Sequence, residues 1–301
     1  MSEMKKITAG MMCVCLLFGM TACGKKTQMP DVRNLGQIET ISREEGSGTR
    51  EEFDTQVDVT EKNVGQTVTS TKDMLRAVSS ANNKIGYAAY STIVNELGEG
   101  VNAKDSADRL TLSGQTADYK MIKVDGVAVS EKTIRSGKYP LCRDYYVAYE
   151  GKLNAVEQDF MRYVMSAGQE EVAKFCVNKK KATTFLSDKS KGTIAIEGSS
   201  SVAPVMESLI AGYAEYNANA KITLKITDSS DGLNSAIRGQ CDLAISSRAL
   251  KDYEQELLSY EAIGSDAIAI LLQKDNPITD LTKKQLRDIY GGSYKNWSDI
   301  E

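Results

Sequence analysis

From residue 193 onward, apolar runs and amphipathic stretches take turns along this chain. Residues 193–197 read as a strand. Val202, Val205, Met206, Leu209, Ile210 and Tyr213 then recur at three- and four-residue spacing, which marks the inner face of a helix. A strand over 222–226, a loop at 228–232, a short helix over 233–238 and a strand over 242–246 follow. Residues 267–273 are almost wholly apolar, as a strand covered on both faces would be. A helix over 281–290 takes Thr282 as its cap. The first half predicts a strand over 37–42 and a helix opening at Thr49. A helix over 71–82 follows, capped by Ser70 or Thr71, with Met74, Leu75 and Val78 on one face. It also predicts strands over 84–90 and 121–124, an extended segment over 139–149, and helices over 155–165 and 169–177 broken near Gly168. This alternation predicts an α/β fold with ligand loops at the carboxyl ends of its strands.

The N-terminal stretch follows a different pattern. Lys5 and Lys6 precede an apolar run over 7–20 that is too short for an ordinary membrane span. Thr21-Ala22-Cys23 follows and resembles a bacterial lipobox, with Cys23 as the lipidated first residue of the mature protein. A plain signal peptide with an incidental cysteine is the other reading. Lys25 and Lys26 begin a polar tether over 24–35. Residues 178–192 are polar and lysine-rich, and are expected to be a solvated linker.

Composition narrows the chemistry. The 301 residues suffice for two medium lobes, and the net charge of −4 argues against a nucleic-acid partner. Histidine is absent, which removes Ser-His-Asp and Cys-His catalysis and His-ligated zinc together. No calcium-loop pattern is present, so neither a metal nor a cofactor is expected, and no enzyme is. Of six cysteines, Cys142, Cys176 and Cys241 lie in the body of the chain. Their odd number and spacing predict buried free thiols, with a Cys142–Cys176 bridge as the alternative.

Two serine-rich loops carry the candidate chemistry. One is Arg43-Glu44-Glu45-Gly46-Ser47-Gly48-Thr49-Arg50 and the other is Gly198-Ser199-Ser200-Ser201-Val202. Each reads as strand, small hydroxyl-bearing loop, helix start. That geometry turns backbone N–H groups and hydroxyls toward one point and suits an oxyanion. Taken singly, each serine could equally be a helix cap, and Arg43 could be a surface ion pair with Glu44 or Glu45.

With Asp228-Ser229-Ser230-Asp231-Gly232, Asp242-Leu243-Ala244-Ile245-Ser246-Ser247-Arg248 and Gly291 through Asn296-Trp297, residues 193–301 resemble the first half of a phosphate-binding protein of the type II periplasmic-binding fold. Residues 37–177, with Ile85-Gly86-Tyr87 and Tyr139-Pro140, resemble the second half. The halves stand in swapped order, which resembles a circular permutation; a truncated or mis-assembled gene is the alternative. On this reading lobe A spans 140–266, and lobe B is built from 36–126 plus 267–301. Segment 178–192 joins the swapped halves, and two crossings, near 139–146 and 265–269, form the hinge.

The resemblance implies a lipid-anchored receptor, monomeric, on the outer face of the cytoplasmic membrane. It would capture inorganic phosphate between its lobes and deliver it to the permease subunits of an ABC importer. The alternative is a non-transport phosphate sensor or a degenerate cell-surface interaction module. Carried over by motif, the phosphate ligands are Arg43, Ser47, Gly48, Thr49, Ser200, Ser201, Ser229 and Ser247. Arg43 is the single direct cation, steered by Glu45, and Arg248 orients acidic neighbours. Some relatives have Asp where Ser247 stands, accepting the proton of hydrogen phosphate. Here Ser247, Glu45 and Asp228 all stand as candidate acceptors.

Overall fold

A computed structural model describes residues 31–60, 65–96, 111–112, 115–116 and 118–300. The leader, Cys23 and most of the tether lie outside the described residues. The last tether residues are docked: Leu35 is buried and its N–H bonds Val32 O at 3.1 Å.

The strands are β1 (Glu39–Arg43), β2 (Gln66–Val68), β3 (Lys84–Ala89), β4 (Thr111–Leu112), β5 (Gln115–Thr116), β6 (Tyr119–Val124), β7 (Cys142–Glu150), β8 (Val177–Asn178), β9 (Gly192–Ser199), β10 (Ala220–Thr227), β11 (Leu243–Ser246), β12 (Leu258–Gln273) and β13 (Asp280–Leu281). The helices are α1 (Gly48–Val57), α2 (Thr71–Ser79), α3 (Tyr90–Glu96), α4 (Glu131–Arg135), α5 (Ala155–Val164), α6 (Gln169–Phe175), α7 (Ala203–Tyr216), α8 (Ser229–Ile237), α9 (Asp252–Leu257) and α10 (Lys283–Tyr290).

Side chains segregate into separate cores, which gives the mixed α/β chain its two lobes. One core collects apolar residues of 35–141 and 267–300 together with Val177, with Phe53, Met74, Ile270 and Trp297 among them. The other collects residues between 145 and 263, including Phe160, Ile196, Leu209 and Ile245, with a satellite around Leu233 and Leu250. A continuous sheet runs β10-β9-β11-β7-β12-β3-β1-β2 through both. Its flanks are parallel: β10, β9 and β11 on one side, β3, β1 and β2 on the other. Antiparallel β7 and β12 pass between the cores, paired from Leu258↔Glu150 to Ala267↔Cys142, and β8 adds a short antiparallel pairing to β12 beside them. β12 is far longer than its apolar run suggests. Its first residues, among them Ser259, Tyr260 and Glu261, are exposed, so their polarity hides a strand whose backbone is nonetheless paired to β7.

Glycine sets how closely the lobe elements approach. Gly198 adopts φ +139°, and a Cβ there would lie 2.2 Å from Ile245 O; a Cβ on Gly232 would lie 2.6 Å from Gly198 Cα. No other side chain fits, so α8 is drawn against the ends of β9 and β11. In the other core Phe53 stacks on Tyr87 and Tyr290 meets both rings edge-on, and the Tyr87 hydroxyl bonds Ser42 Oγ at 2.7 Å.

The lysine-rich segment is exposed over most of its length but is not a free linker. Phe185 packs on Tyr163 and Tyr216. The buried Asp159 carboxylate accepts from Ser187 Oγ at 2.6 Å and from Asp188 N at 3.1 Å, and Lys179 pairs with Asp144 at 2.9 Å. The three body cysteines are free and half-buried, and burial pushes the Cys142 thiol up to about 11.

Candidate anion-binding site

Three helices begin at the same place. α1 opens behind Ser47, α7 behind Ser201-Val202 with Pro204 in its first turn, and α8 behind its cap Asp228. Proline suits that position because its missing N–H would have no helical partner. β9 runs on to Ser199, paired with Thr227, so the loop before α7 is shorter than expected and Ser199 joins the cleft.

The hydroxyls meet across the lobes. Thr49 Oγ1 lies 3.1 Å from Ser201 Oγ. Ser199 Oγ donates to Ser247 Oγ at 2.9 Å, Ser247 N donates to Ser229 Oγ at 3.1 Å, and the two hydroxyls of Ser229 and Ser247 are 3.5 Å apart. Gly48 lies directly against this group, since a Cβ there would be 2.1 Å from Ser229 Oγ. Ser47 is buried, and its side chain does not cap its own helix. Thr49, Ser201, Ser229 and Ser247 are buried as well, and Ser200 is half-buried. All eight residues singled out as ligands therefore lie at one junction between the lobes.

Arg43 reaches this junction from the end of β1. Its guanidinium donates to both Glu44 carboxylate oxygens at 2.8 and 2.7 Å, to Thr69 O at 3.3 Å and to Ser200 Oγ at 3.3 Å. Its Nη1 is buried and has no hydrogen-bond partner. The steering carboxylate is thus Glu44 rather than Glu45, which is exposed. Asp228 caps α8 by accepting from Asp231 N at 2.8 Å, and its carboxylate crowds Gly46 of the opposite lobe. Burial raises its carboxyl above the ordinary value.

Arg248 is bonded to acidic neighbours. It donates to both Glu254 oxygens at 2.7 and 2.8 Å, pairs with Glu51 at 2.6 Å and donates to Ser230 Oγ at 3.1 Å. Burial opposes ionisation of Glu254, but the Arg248 hydrogen bonds outweigh it and hold that carboxyl below its usual range. Because Glu51 is on α1, this network also ties the lobes together.

Arg143 was not anticipated. It lies on β7, its side chain wholly buried, and Nη1 donates to Thr49 Oγ1 at 2.9 Å and to Ser247 O at 3.1 Å. A signal was present in the strand: Arg143 shares the inward phase of Tyr145 and Val147, where an unpaired charge would be costly.

Among the described residues no group of acidic or thiol side chains could hold a metal ion, and no helix is long and apolar enough to cross a membrane. The family model described as PBP superfamily domain matches residues 25–167 and 183–300. A protein of Streptococcus pneumoniae serotype 4 named phosphate-binding protein PstS 2 is 30% identical, with 94% of each chain covered. One of the same name from Streptococcus agalactiae serotype V is 33% identical over 88% of each chain. The crystal structure of a phosphate-binding protein of a phosphate ABC transporter from Streptococcus pneumoniae superposes with a TM-score of 0.68 at 28% identity, covering 88% of this chain and all of that one. With a family model matched over most of its length and relatives aligned over nearly all of it, this chain belongs to the PBP superfamily of two-lobed binding proteins.

Proposed function

We propose that this protein is an extracytoplasmic substrate-binding protein that captures inorganic phosphate between its lobes and delivers it to the permease of an ABC importer. The observation that carries the reading is the buried, unpartnered Nη1 of Arg43 beside a cluster of hydroxyls from both lobes. A buried donor without an acceptor costs free energy, and an oxyanion oxygen supplies one. The relatives' names point the same way.

In this reading Ser47, Gly48, Thr49, Ser200, Ser201, Ser229 and Ser247 donate hydroxyl or backbone N–H groups, and Arg43 supplies the fork. Glu44 neutralises part of the Arg43 charge and fixes its plane. Asp228 is our choice as acceptor of the phosphate proton. It is the half-buried carboxylate of the three candidate groups, whereas Glu45 is exposed and Ser247 is already engaged with Ser199 and Ser229. The Cys23 lipid anchor belongs to the same proposal, and its support is the Lys5-Lys6, apolar, Thr-Ala-Cys pattern alone.

The permuted order is proposed with it. Its support is that Gly36 O accepts from Trp297 N at 3.0 Å, Ile38 N donates to Lys295 O at 2.8 Å and Gln37 pairs with Asn296. The test of function is a calorimetric titration of the purified protein with phosphate, arsenate and sulfate. Phosphate should bind, arsenate should compete and sulfate should bind more weakly. Heat from none of the three would refute the assignment.

A further inference from the structure

Arg143 and Asp266 are a cross-strand pair on the two strands that join the lobes, 3.2 Å apart and both without side-chain exposure. Several neighbours hold the guanidinium through its two terminal nitrogens, while its buried Nε has no hydrogen-bond partner. Asp266 also accepts from Tyr145 Oη at 2.6 Å and from Ser91 N at 2.9 Å, so its orientation is set by three separate donors. The Tyr145 ring lies under the guanidinium at 5.4 Å, and burial, with Asp266 adding to it, keeps its phenol protonated well beyond the ordinary range. From this base one nitrogen, Nη1, reaches Thr49 in one lobe and the Ser247 carbonyl in the other. Arg143 therefore sits on the hinge while its two acceptors belong to the parts that a hinge would separate.

The hydrogen-bond inventory of Thr49 makes this consequential. A hydroxyl has one proton and two lone pairs. When Arg143 donates to Thr49 Oγ1, the hydroxyl proton must point elsewhere, toward Ser201 Oγ or an anion in the cleft. A guanidinium cannot accept, so the direction cannot reverse. We propose that Arg143, locked on Asp266, is a positioning residue for the oxyanion: it fixes Thr49 as a donor to phosphate and couples that donor to closure of the lobes. This rests on the anion-cleft reading given above.

Deleting Arg143 alone would leave Asp266 charged and buried, and the fold could fail for that reason. The informative variant is the neutral pair Arg143→Met with Asp266→Asn, compared with Thr49→Val in both backgrounds. Phosphate affinity is read by calorimetry, and folding by thermal melting without ligand.

The double variant should fold and bind phosphate about tenfold or more weakly, the scale of one hydrogen bond with a charged partner. Thr49→Val should cost a similar factor in the wild-type background and about twofold or less in the double variant, because Arg143 acts through that hydroxyl. A general loss of rigidity would leave the Thr49→Val factor the same in both backgrounds, and that result would overturn the proposal. So would a folded double variant with wild-type affinity. Should the double variant not fold, Arg143→Lys keeps the charge but cannot serve Thr49, Ser247 and Asp266 at once. Unchanged phosphate affinity there overturns the proposal equally, and a drop with a diminished Thr49→Val factor supports it. If the wild-type protein binds no phosphate, the anion-cleft reading fails and this one with it. If it binds and the variants do not differ, only the role of Arg143 fails.

Discussion

Gly48→Ala isolates lobe closure from everything else the site does. Gly48 opens α1 without a positive φ, so alanine suits its backbone. The obstacle is the other lobe. The added Cβ would sit 2.1 Å from Ser229 Oγ, 2.8 Å from Ser229 Cβ and 2.8 Å from Ser247 Oγ. Carbon atoms rest at about 3.5–4.0 Å, so relief of the carbon–carbon contact alone takes a separation of roughly 0.7–1.2 Å, and the closer approach to Ser229 Oγ asks for more. Ser229 and Ser247 are fully buried behind α8 and β11 and have no room to retreat. Separation instead stretches the Thr49–Ser201 contact at 3.1 Å and the Arg43–Ser200 contact at 3.3 Å, which are the contacts an anion would share. Overpacking of this size costs about 1–3 kcal/mol, or about a 5- to 150-fold loss of phosphate affinity. Calorimetry measures the loss, and small-angle scattering should find the variant less compact than wild type at equal saturation. Melting without ligand should be unchanged or slightly raised, since alanine favours a helix over glycine. Affinity within twofold of wild type would mean that Gly48 does not face Ser229 in the bound state, and the closed geometry argued here would be wrong.

Other perturbations probe the site piece by piece. Arg43→Ala removes the buried fork and should cost about 2–5 kcal/mol of phosphate binding in calorimetry, with Arg43→Lys also short of wild type because a point charge cannot reproduce the fork; unchanged affinity in the alanine variant would exclude Arg43 from the anion. If ionised Asp228 accepts the phosphate proton, affinity should fall as pH drops through its carboxyl, which burial places above the ordinary value, and Asp228→Asn should raise sulfate affinity relative to phosphate; parallel changes for both anions in competition titrations would clear Asp228 of that role. Joining the C-terminal end to Gly36 by a short Gly/Ser link, with the chain opened between Lys179 and Lys191, should give a monomer that folds and binds phosphate as the original does. A rebuilt chain that stays unfolded by circular dichroism would count against the permuted order.

Much of this architecture was legible because it is local. Strand, small hydroxyl-bearing loop and helix start follow each other within a short stretch at both Gly46–Arg50 and Gly198–Pro204, and the glycines and Pro204 mark the turns, although neither helix takes a side-chain cap. What escaped notice was set by pairing across distance. The first half of β12 is polar in sequence because its outer face meets water, and its strand character comes from a backbone ladder with β7 more than a hundred residues away. Asp159 on α5 anchors the lysine-rich segment at Ser187 and Asp188, 28 and 29 residues further along, so the segment's composition alone reads as solvated.

Arg143 shows the same limit in the place where it matters most. A basic residue in an alternating strand carries no partner in its own neighbourhood, and Asp266 stands 123 positions away in a segment whose apolar stretch begins one residue later. Neither residue signals an anion site by itself. Together they place a cation at the floor of the cleft with its charge already balanced, which a cleft that must empty as well as fill requires. An unbalanced second guanidinium would hold the lobes on any anion, or repel them from each other when none is bound. A balanced one can direct a hydroxyl without either cost. The neutral pair therefore fits a binding protein that releases its ligand, and it is visible only once the two hinge strands are laid side by side.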